Sequence, residues 1–588
     1  MTKTLSEISQ AFKNTLNLVE KPEKLTLFLA SLIMLICGIL TNLPALILGR
    51  LTDQAVSQDA FQFSLAIPFI TAIVAVIFTR ELLTVLRKYL IENIATKTEK
   101  KQTIAVISHL LKTDIDEVQS QQIGSLHGKV FRSIQGLIRM IKLCFLDFLP
   151  AVFAAMAAII IALSQKPLLA TVMILVIPAS LFIIVKQVSS QKGVRIALLR
   201  GKEKIDGVVV EMLGGLETIR VANTLEDEVK KIEIVAEDLR KKEIRHHITM
   251  ALFDSVKYLN EGFFYILVIS LSILFSSQGI ISRGDILVYS ILFLSITGPL
   301  REIHRILDEA HESAIRVNDL YGLLNLPVDQ SFEPTSNGHL NKKTTIEIKK
   351  LSFGYKNRNE EILKNIDIVI HQGEKIGIAG PSGCGKTTLI KILLRLIHDY
   401  YGEIELFGKN LQDVSREEIA QKIAYVPQRP YVFSGTILEN ITYGLNKTQF
   451  SLEKAKSAAI KANVYKEIME SLGGFDGVVS ENGNNLSGGQ KQRLAIARLI
   501  LKSPDLFIFD EATSALDNIN ESAIQKNIEQ IFKDKTMITI AHRLTTLKNC
   551  DRILVLDKGQ IVQEGTFSKL EKQPGLFQSF LKQNINIP

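Results

Sequence analysis

The residues best suited to chemistry form one unbroken run, Gly380, Pro381, Ser382, Gly383, Cys384, Gly385, Lys386, Thr387 and Thr388. The spacing is Gly-x-x-x-x-Gly-Lys-Thr. An apolar, strand-like stretch at 375–379 leads in, and a helix-patterned stretch at 389–396 leads out. In that setting the glycines let backbone N–H groups wrap a phosphate at a helix N-terminus, where the helix dipole also favours negative charge. Lys386 is then expected to reach the β- and γ-phosphates of a nucleotide, and Thr387 to ligate Mg²⁺.

A second stretch, LFIFD at 506–510, is an apolar strand ending in an acid, with Glu511 next. In a parallel sheet such a strand carries Asp510 to the C-terminal edge, beside the phosphates, where it can hold Mg²⁺ directly or through water. Glu511 is placed to orient or deprotonate an attacking water. Taken alone, the pair reads better as a buried strand capped by two surface acids. Between the two stretches lies LSGGQ at 486–490, which in isolation is an ordinary helix cap.

In the order phosphate loop, LSGGQ, then LFIFDE, these motifs resemble the ATP-binding-cassette (ABC) ATPases, for which LSGGQ is the signature. The resemblance implies further roles. Tyr355, in LSFGY, matches the aromatic that stacks on adenine. Gln428, in AYVPQ, matches the loop glutamine that touches Mg²⁺ and relays its state to the membrane domain. Residues 514–517, ending in Asp517, resemble the loop that crosses to a partner ATPase. His542, in TIAHR, matches the histidine that contacts the γ-phosphate and the attacking water. Ser487, Gly488, Gly489 and Gln490 are expected to close on nucleotide held by a second copy. Glu481 matches the exporter-type acid before the signature, whereas Asn482 stands where exporters commonly carry Arg. That departure removes one expected salt bridge and leaves hydrolysis untouched.

The elements that must position these groups follow from the rest of the chain. Its 588 residues exceed a single core. Mean hydropathy is +0.19 although 22% of residues are charged, so one very apolar part and one ordinary globular part are expected. Residues 326–343 are rich in Pro, Asn, Ser and Gly and read as a linker. After them strand and helix patterns alternate, the mark of an α/β domain.

Before the linker lie apolar stretches at about 25–48, 63–86, 142–164, 167–186, 258–277 and 286–300. A membrane-spanning helix needs roughly 20 apolar residues. Short connections follow the first, third and fifth stretches. Long charged ones, at about 87–141 and 187–257, follow the second and fourth. Their basic residues, among them Arg87, Lys88, Lys97, Lys100 and Lys101, place them in the cytoplasm. The second and fourth spans are therefore expected to continue as helices below the membrane and return.

The same distribution of the net charge of +8, with no tryptophan and no basic–aromatic block, argues against nucleic-acid binding. Four cysteines without ligand-like spacing exclude a zinc or disulfide framework. The polar N-terminus does not read as a secretory signal.

Residues 1–24 carry Leu5, Ile8, Phe12, Leu16 and Val19 on one helical stripe, which suits a helix at the membrane interface or one packed on protein. Inside the spans, Asp147 reads as cavity lining or structure. Lys257 and Glu261, four apart, are spaced to pair on one helix face.

The expected architecture is an all-α six-helix transmembrane domain (25–325), the linker, and an α/β P-loop ATPase domain (344–588). The long connections, the segment Glu211–Asn223 and the fused ATPase resemble the exporter class. The class implies ATP and Mg²⁺ as ligands, a lipid bilayer and a second copy as partners, a bacterial cell membrane as the site, and alternating-access export of an amphipathic peptide, lipid or drug. An intact set of motifs favours a homodimer. An ATP-gated channel on the same scaffold, or a soluble cassette ATPase, is the competing expectation.

Overall fold

The computed structural model describes residues 2–57, 62–119, 123–190, 193–332, 344–355, 360–445, 451–512, 518–541 and 543–585. The chain divides into two compact units, Met1–Leu111 with Gln121–Leu326, and Lys112–Ser120 with Pro327–Pro588.

The first unit is helical because its sequence offers long apolar runs with almost no turn residues. Six helical stretches are long and apolar enough to cross a membrane: Lys21–Ser57, Phe63–Leu110, Leu126–Gln165, Pro167–Ser190, Leu225–Ser277 and Arg283–Leu324. The second and fifth contain 48 and 53 residues, hence about 70 and 80 Å at 1.5 Å per residue. A hydrocarbon core of about 30 Å covers less than half of either. Val74, Phe78, Leu82 and Val85 of the second span form an exposed apolar stripe at helical spacing, the pattern of a surface that faces lipid tails.

The second span does run on as one helix, but the fourth does not. It bends at Leu175, between Pro167–Ile174 and Val176–Ser190, because Pro178 has no N–H to give the turn before it. The chain then restarts as a separate helix, Val194–Gly214, whose capping residue Gly193 has a left-handed φ of 80°. The third span contains a π-helical turn, Leu143–Phe148, that leads into Leu149–Gln165.

Close backbone approach joins the first and sixth spans. A Cβ on Gly284 would sit 2.0 Å from the Gly49 carbonyl oxygen. The Gly284 N–H donates to Asp53 Oδ1 at 2.7 Å, and Ser282 and Asp285 form a reciprocal capping box at the start of the sixth. The N-terminal helix Thr2–Leu18 packs Phe12 and Leu16 against a core that includes Leu27, Met34, Ile91 and Phe145.

Lys257 and Glu261 of the fifth span each have a charged partner. Glu261 accepts from Arg301 Nε of the sixth span at 2.6 Å. Lys257 pairs with Asp254 at 2.6 Å. Both Lys257 and Glu261 are buried, which such pairing makes tolerable.

The second unit is built on twelve strands among the described residues. They are β1 (Thr344–Phe353), β2 (Leu363–His371), β3 (Lys375–Ala379), β4 (Tyr401–Leu406), β5 (Lys409–Asn410), β6 (Ile423–Val426), β7 (Gly435–Thr436), β8 (Val478–Val479), β9 (Leu506–Asp510), β10 (Thr536–Ile540), β11 (Arg552–Asp557) and β12 (Gln560–Gly565). The main sheet has the order β12-β11-β3-β10-β9-β6. Its strands from β11 to β6 are parallel, and β12 returns antiparallel. β9 is buried along its whole length, as a central parallel strand covered on both faces should be. A smaller antiparallel sheet, β2-β1-β4-β5, packs beside it through a core containing Ile346, Ile368, Ile376, Leu389 and Ile404.

Candidate active site

β3 ends at Ala379, and the phosphate loop turns immediately into the helix Lys386–Leu393. The turn needs glycine twice for steric reasons. At Gly380, with φ 155°, a Cβ would lie 2.2 Å from the Leu556 carbonyl oxygen. At Gly385, with φ 109°, it would lie 2.7 Å from Leu363 Cδ2. At Gly383, by contrast, nothing stands within 4 Å, so this face of the loop is open. Lys386, only 7% exposed, bends back over the loop and donates to the Gly380 and Pro381 carbonyl oxygens at 2.8 and 2.9 Å. The lysine therefore holds its charge over the same backbone whose N–H groups form the cradle.

β9 stands two strands from β3, with β10 between them. Two strand spacings separate the loop from Asp510 by about 10 Å, and the first turn of the helix closes that gap. Thr387 Oγ1 donates to Asp510 Oδ2 at 3.2 Å, and the Tyr425 hydroxyl reaches the same oxygen at 3.4 Å. Burial, then the Asp510 charge, pushes the Tyr425 hydroxyl far up from its ordinary value, so it stays a donor. A hydroxyl and a carboxylate oxygen together are the hard donors that Mg²⁺ prefers, with phosphates and water completing its shell. The residues fit that ion. No group of three or more His, Cys, Asp or Glu suited to a metal occurs among the described residues.

Glu511 leaves the strand with a left-handed φ of 52°, a conformation that costs a non-glycine residue about 1 kcal/mol or more. Its N–H donates to the Ile540 carbonyl, and its carboxylate accepts from Gln428 Nε2. Gln428 is held in turn by Gln492 Nε2, which donates to its carbonyl at 3.3 Å.

The signature residues begin the helix Gly488–Lys502. Ser487 and Gln490 form a capping box: Ser487 Oγ accepts from the Gln490 N–H, and Gln490 Oε1 accepts from the Ser487 N–H. Gln490 also donates to Glu467 at 3.0 Å, and Arg493 pairs with the same carboxylate at 2.7 Å. Tyr355 packs edge-on to Phe353 with ring centroids 4.9 Å apart.

The structure thus brings together Gly380–Thr388, Asp510, Glu511 and Gln428. Asp517 and His542 lie outside the described residues. Sequence reasoning did not single out Tyr425, Gln492 or Glu467. Tyr425 sits in the AYVPQ stretch three residues before Gln428 and was within reach of notice. Glu467 lies 23 residues from Gln490, and nothing in its local sequence marks it.

Known proteins resolve what this arrangement belongs to. Residues 363–514 match the family model for the ABC transporter, and residues 27–300 match that for the ABC transporter transmembrane region. A mitochondrial iron–sulfur clusters transporter, ATM1, of Chaetomium globosum is 30% identical over 84% of this chain and 82% of its own length. The chain belongs to the ABC transporter family. The ATP-dependent lipid A-core flippase of Desulfotalea psychrophila is 27% identical to this transporter over 95% of the chain and 96% of the flippase. A solved bacterial Atm1-family ABC exporter with ATP bound shares its fold, with a TM-score of 0.85 and 24% identity over 96% of this chain and 99% of that one. The transporter is an integral membrane protein that binds nucleotide and couples ATP hydrolysis to export. Its six apolar helices and its sheet-containing ATPase occur in the order expected from sequence.

Proposed function

We propose that two copies of this transporter form two composite ATP sites and export an amphipathic peptide, lipid or drug by alternating access. The observation that carries this reading is the convergence of Lys386, Thr387, Asp510, Gln428 and Glu511 at one edge of one sheet. In this reading residues 25–325 are the membrane domain, 326–343 the linker and 344–588 the ATPase domain, with 1–24 at the membrane interface.

The phosphate-loop residues Gly380, Pro381, Ser382, Gly383, Cys384, Gly385, Lys386, Thr387 and Thr388 bind the phosphates, and Tyr355 stacks on adenine. Thr387, Asp510 and Gln428 would hold Mg²⁺, which when bound neutralises phosphate charge. Glu511 takes or orients the proton of the attacking water, and its bond to Gln428 keeps it aimed. His542 steadies the γ-phosphate end. Ser487, Gly488, Gly489 and Gln490 complete the site of the other copy, and Asp517 contributes at that junction. Nucleotide moves the cavity only through its different affinity for the closed and open arrangements.

The relatives act on iron–sulfur clusters and on lipid A-core by name, so the family relation alone does not select a cargo. The basic long connections support a cytoplasmic ATPase domain beneath a bacterial cell membrane. ATPase activity in lipid nanodiscs, titrated against peptides, lipids and drugs, tests the proposal. Stimulation by amphipathic compounds supports it, and activity indifferent to all three classes contradicts it.

A further inference from the structure

A cleft of about 450 Å³ opens in the membrane unit between the first, third and sixth spans. Its walls include Thr41, Asp147, Ala154, Ser295, Pro299 and Glu302. Two of its helices depart from the regular α-helical hydrogen-bond pattern where they line it. The third span makes its π-turn at Leu143–Phe148, which presents Asp147, and Pro150 follows with no N–H to donate. The sixth span carries Pro299 inside the helix, which takes from the Ser295 carbonyl the amide donor it would have in an unbroken helix. A proline inside a membrane helix is tolerated where neighbouring groups re-satisfy the freed carbonyl, and π-turns recur at functional sites.

The charges in this cleft are unevenly satisfied. Arg305 is shared between Glu302, at 2.7 Å, and Glu309, at 2.8 Å. Arg139 also binds Glu309, so that cationic side is spent on carboxylates. Asp147 has no hydrogen bond or ion pair among the described residues. Arg87, 7% exposed and with its Nε unpaired, acts on it only through space. What the cleft offers a guest is therefore acceptors: the carboxylate oxygens of Asp147 and a backbone carbonyl, above an apolar wall of Leu146, Ala151 and Leu294.

We infer that this cleft receives the cationic head of the transported molecule, an ammonium or guanidinium carried on an apolar body, with Asp147 as its anchor. The inference deepens the export reading and rests on it. A carboxylate inside a span is costly unless it meets such a partner, and a cation brings an N–H donor of the kind that Pro299 withholds from the Ser295 carbonyl. The apolar wall then accepts the tail.

The test uses the full chain in phosphatidylcholine nanodiscs and three fluorescent dodecyl probes that differ only in the head: a primary ammonium, its N-acetyl amide and a sulfonate. With binding to empty discs subtracted, the ammonium probe is expected to bind about tenfold tighter than the amide, the scale of one hydrogen bond to a charged group. Asp147→Asn should bring the two within about threefold on the same scale, and Asp147→Glu should keep the preference. Equal or tighter binding of the amide or sulfonate to the unaltered protein overturns the proposal without any variant. So does a preference that survives in well-folded Asp147→Asn. Transport separates the two levels: ATP-driven movement of the sulfonate in preference to the ammonium sinks the head-group assignment alone, whereas no ATP-driven movement of any probe or other amphiphile sinks the export reading beneath it.

Discussion

Gln428 donates its side-chain amide to the carboxylate of Glu511, tying the loop after β6 to the end of β9. Glu511 already occupies a strained left-handed backbone position, so its aim depends on what holds the side chain. Gln428→Ala should leave nucleotide binding within about threefold and lower the rate of hydrolysis by about tenfold or more, the worth of one hydrogen bond to a charged group. Steady-state ATPase kinetics beside nucleotide titration check this; a weakened KM with unchanged kcat would mean that Gln428 acts through Mg²⁺ alone and not through Glu511.

Lys386 makes its bonds to the Gly380 and Pro381 carbonyls while presenting its charge to the cradle. Lys386→Ala removes a charge-assisted donor worth about 1.5–3 kcal/mol, so the dissociation constant for ATP should rise about tenfold to a hundredfold. Equilibrium binding of a fluorescent ATP analogue reads this directly. Unchanged binding would mean that the lysine only braces the loop.

Much of this site was legible because it is local. The phosphate loop and the Asp510–Glu511 pair are each contiguous, and their strand and helix flanks follow from hydrophobic pattern. The six spans were legible for the same reason. What escaped depends on contacts between distant positions. Arg301 reaches Glu261 from another helix, a contact that no local spacing marks. The break in the fourth connection turns on one left-handed glycine, Gly193, in a stretch whose helical pattern otherwise runs on. Glu467 is fixed to the signature helix only by tertiary packing.

Asp329 shows what such packing holds in place. It accepts from Arg416 at 2.7 Å and from the Ser331 N–H at 2.7 Å, and it lies 3.1 Å from His398 Nε2. Its N–H donates to the Lys112 carbonyl, which joins Lys112–Ser120 to the ATPase unit. Burial alone would raise its pKa, but the adjacent His398 imidazole and the bonds from Ser331 outweigh burial and hold it far below the ordinary carboxylate value. A depressed folded value stabilises above the unfolded value of about 4 and loses that contribution as pH falls through and below it. Asp329→Asn should therefore lower stability at pH 7 by about 3 kcal/mol, the cost of breaking a buried pair. The gap from the unaltered protein should narrow steadily below about pH 4. Denaturant midpoints of the ATPase unit across pH, followed by hydrogen exchange, check the sign; a gap that widens on acidification contradicts it.

Gly284 meets the Gly49 carbonyl so closely that a Cβ would lie 2.0 Å away. Gly284→Ala must push the first and sixth spans apart and break the Asp53 bond, a cost of about 1–3 kcal/mol by overpacking. Gly262→Ala, with nothing within 4 Å, should be near neutral. Thermal midpoints of the two variants in the same detergent compare them. Equal midpoints would show that the approach is not a tight one in the native bundle.

The most direct test uses inverted membrane vesicles with Glu511→Gln beside the unaltered chain, measuring ATP binding, hydrolysis and uptake of a labelled amphiphile in one preparation. The account predicts binding retained, hydrolysis lowered by about a hundredfold or more, and uptake lost with it. Uptake by Glu511→Gln at the unaltered rate would mean that the chain gates passive flow, and it would contradict a pump powered at Glu511.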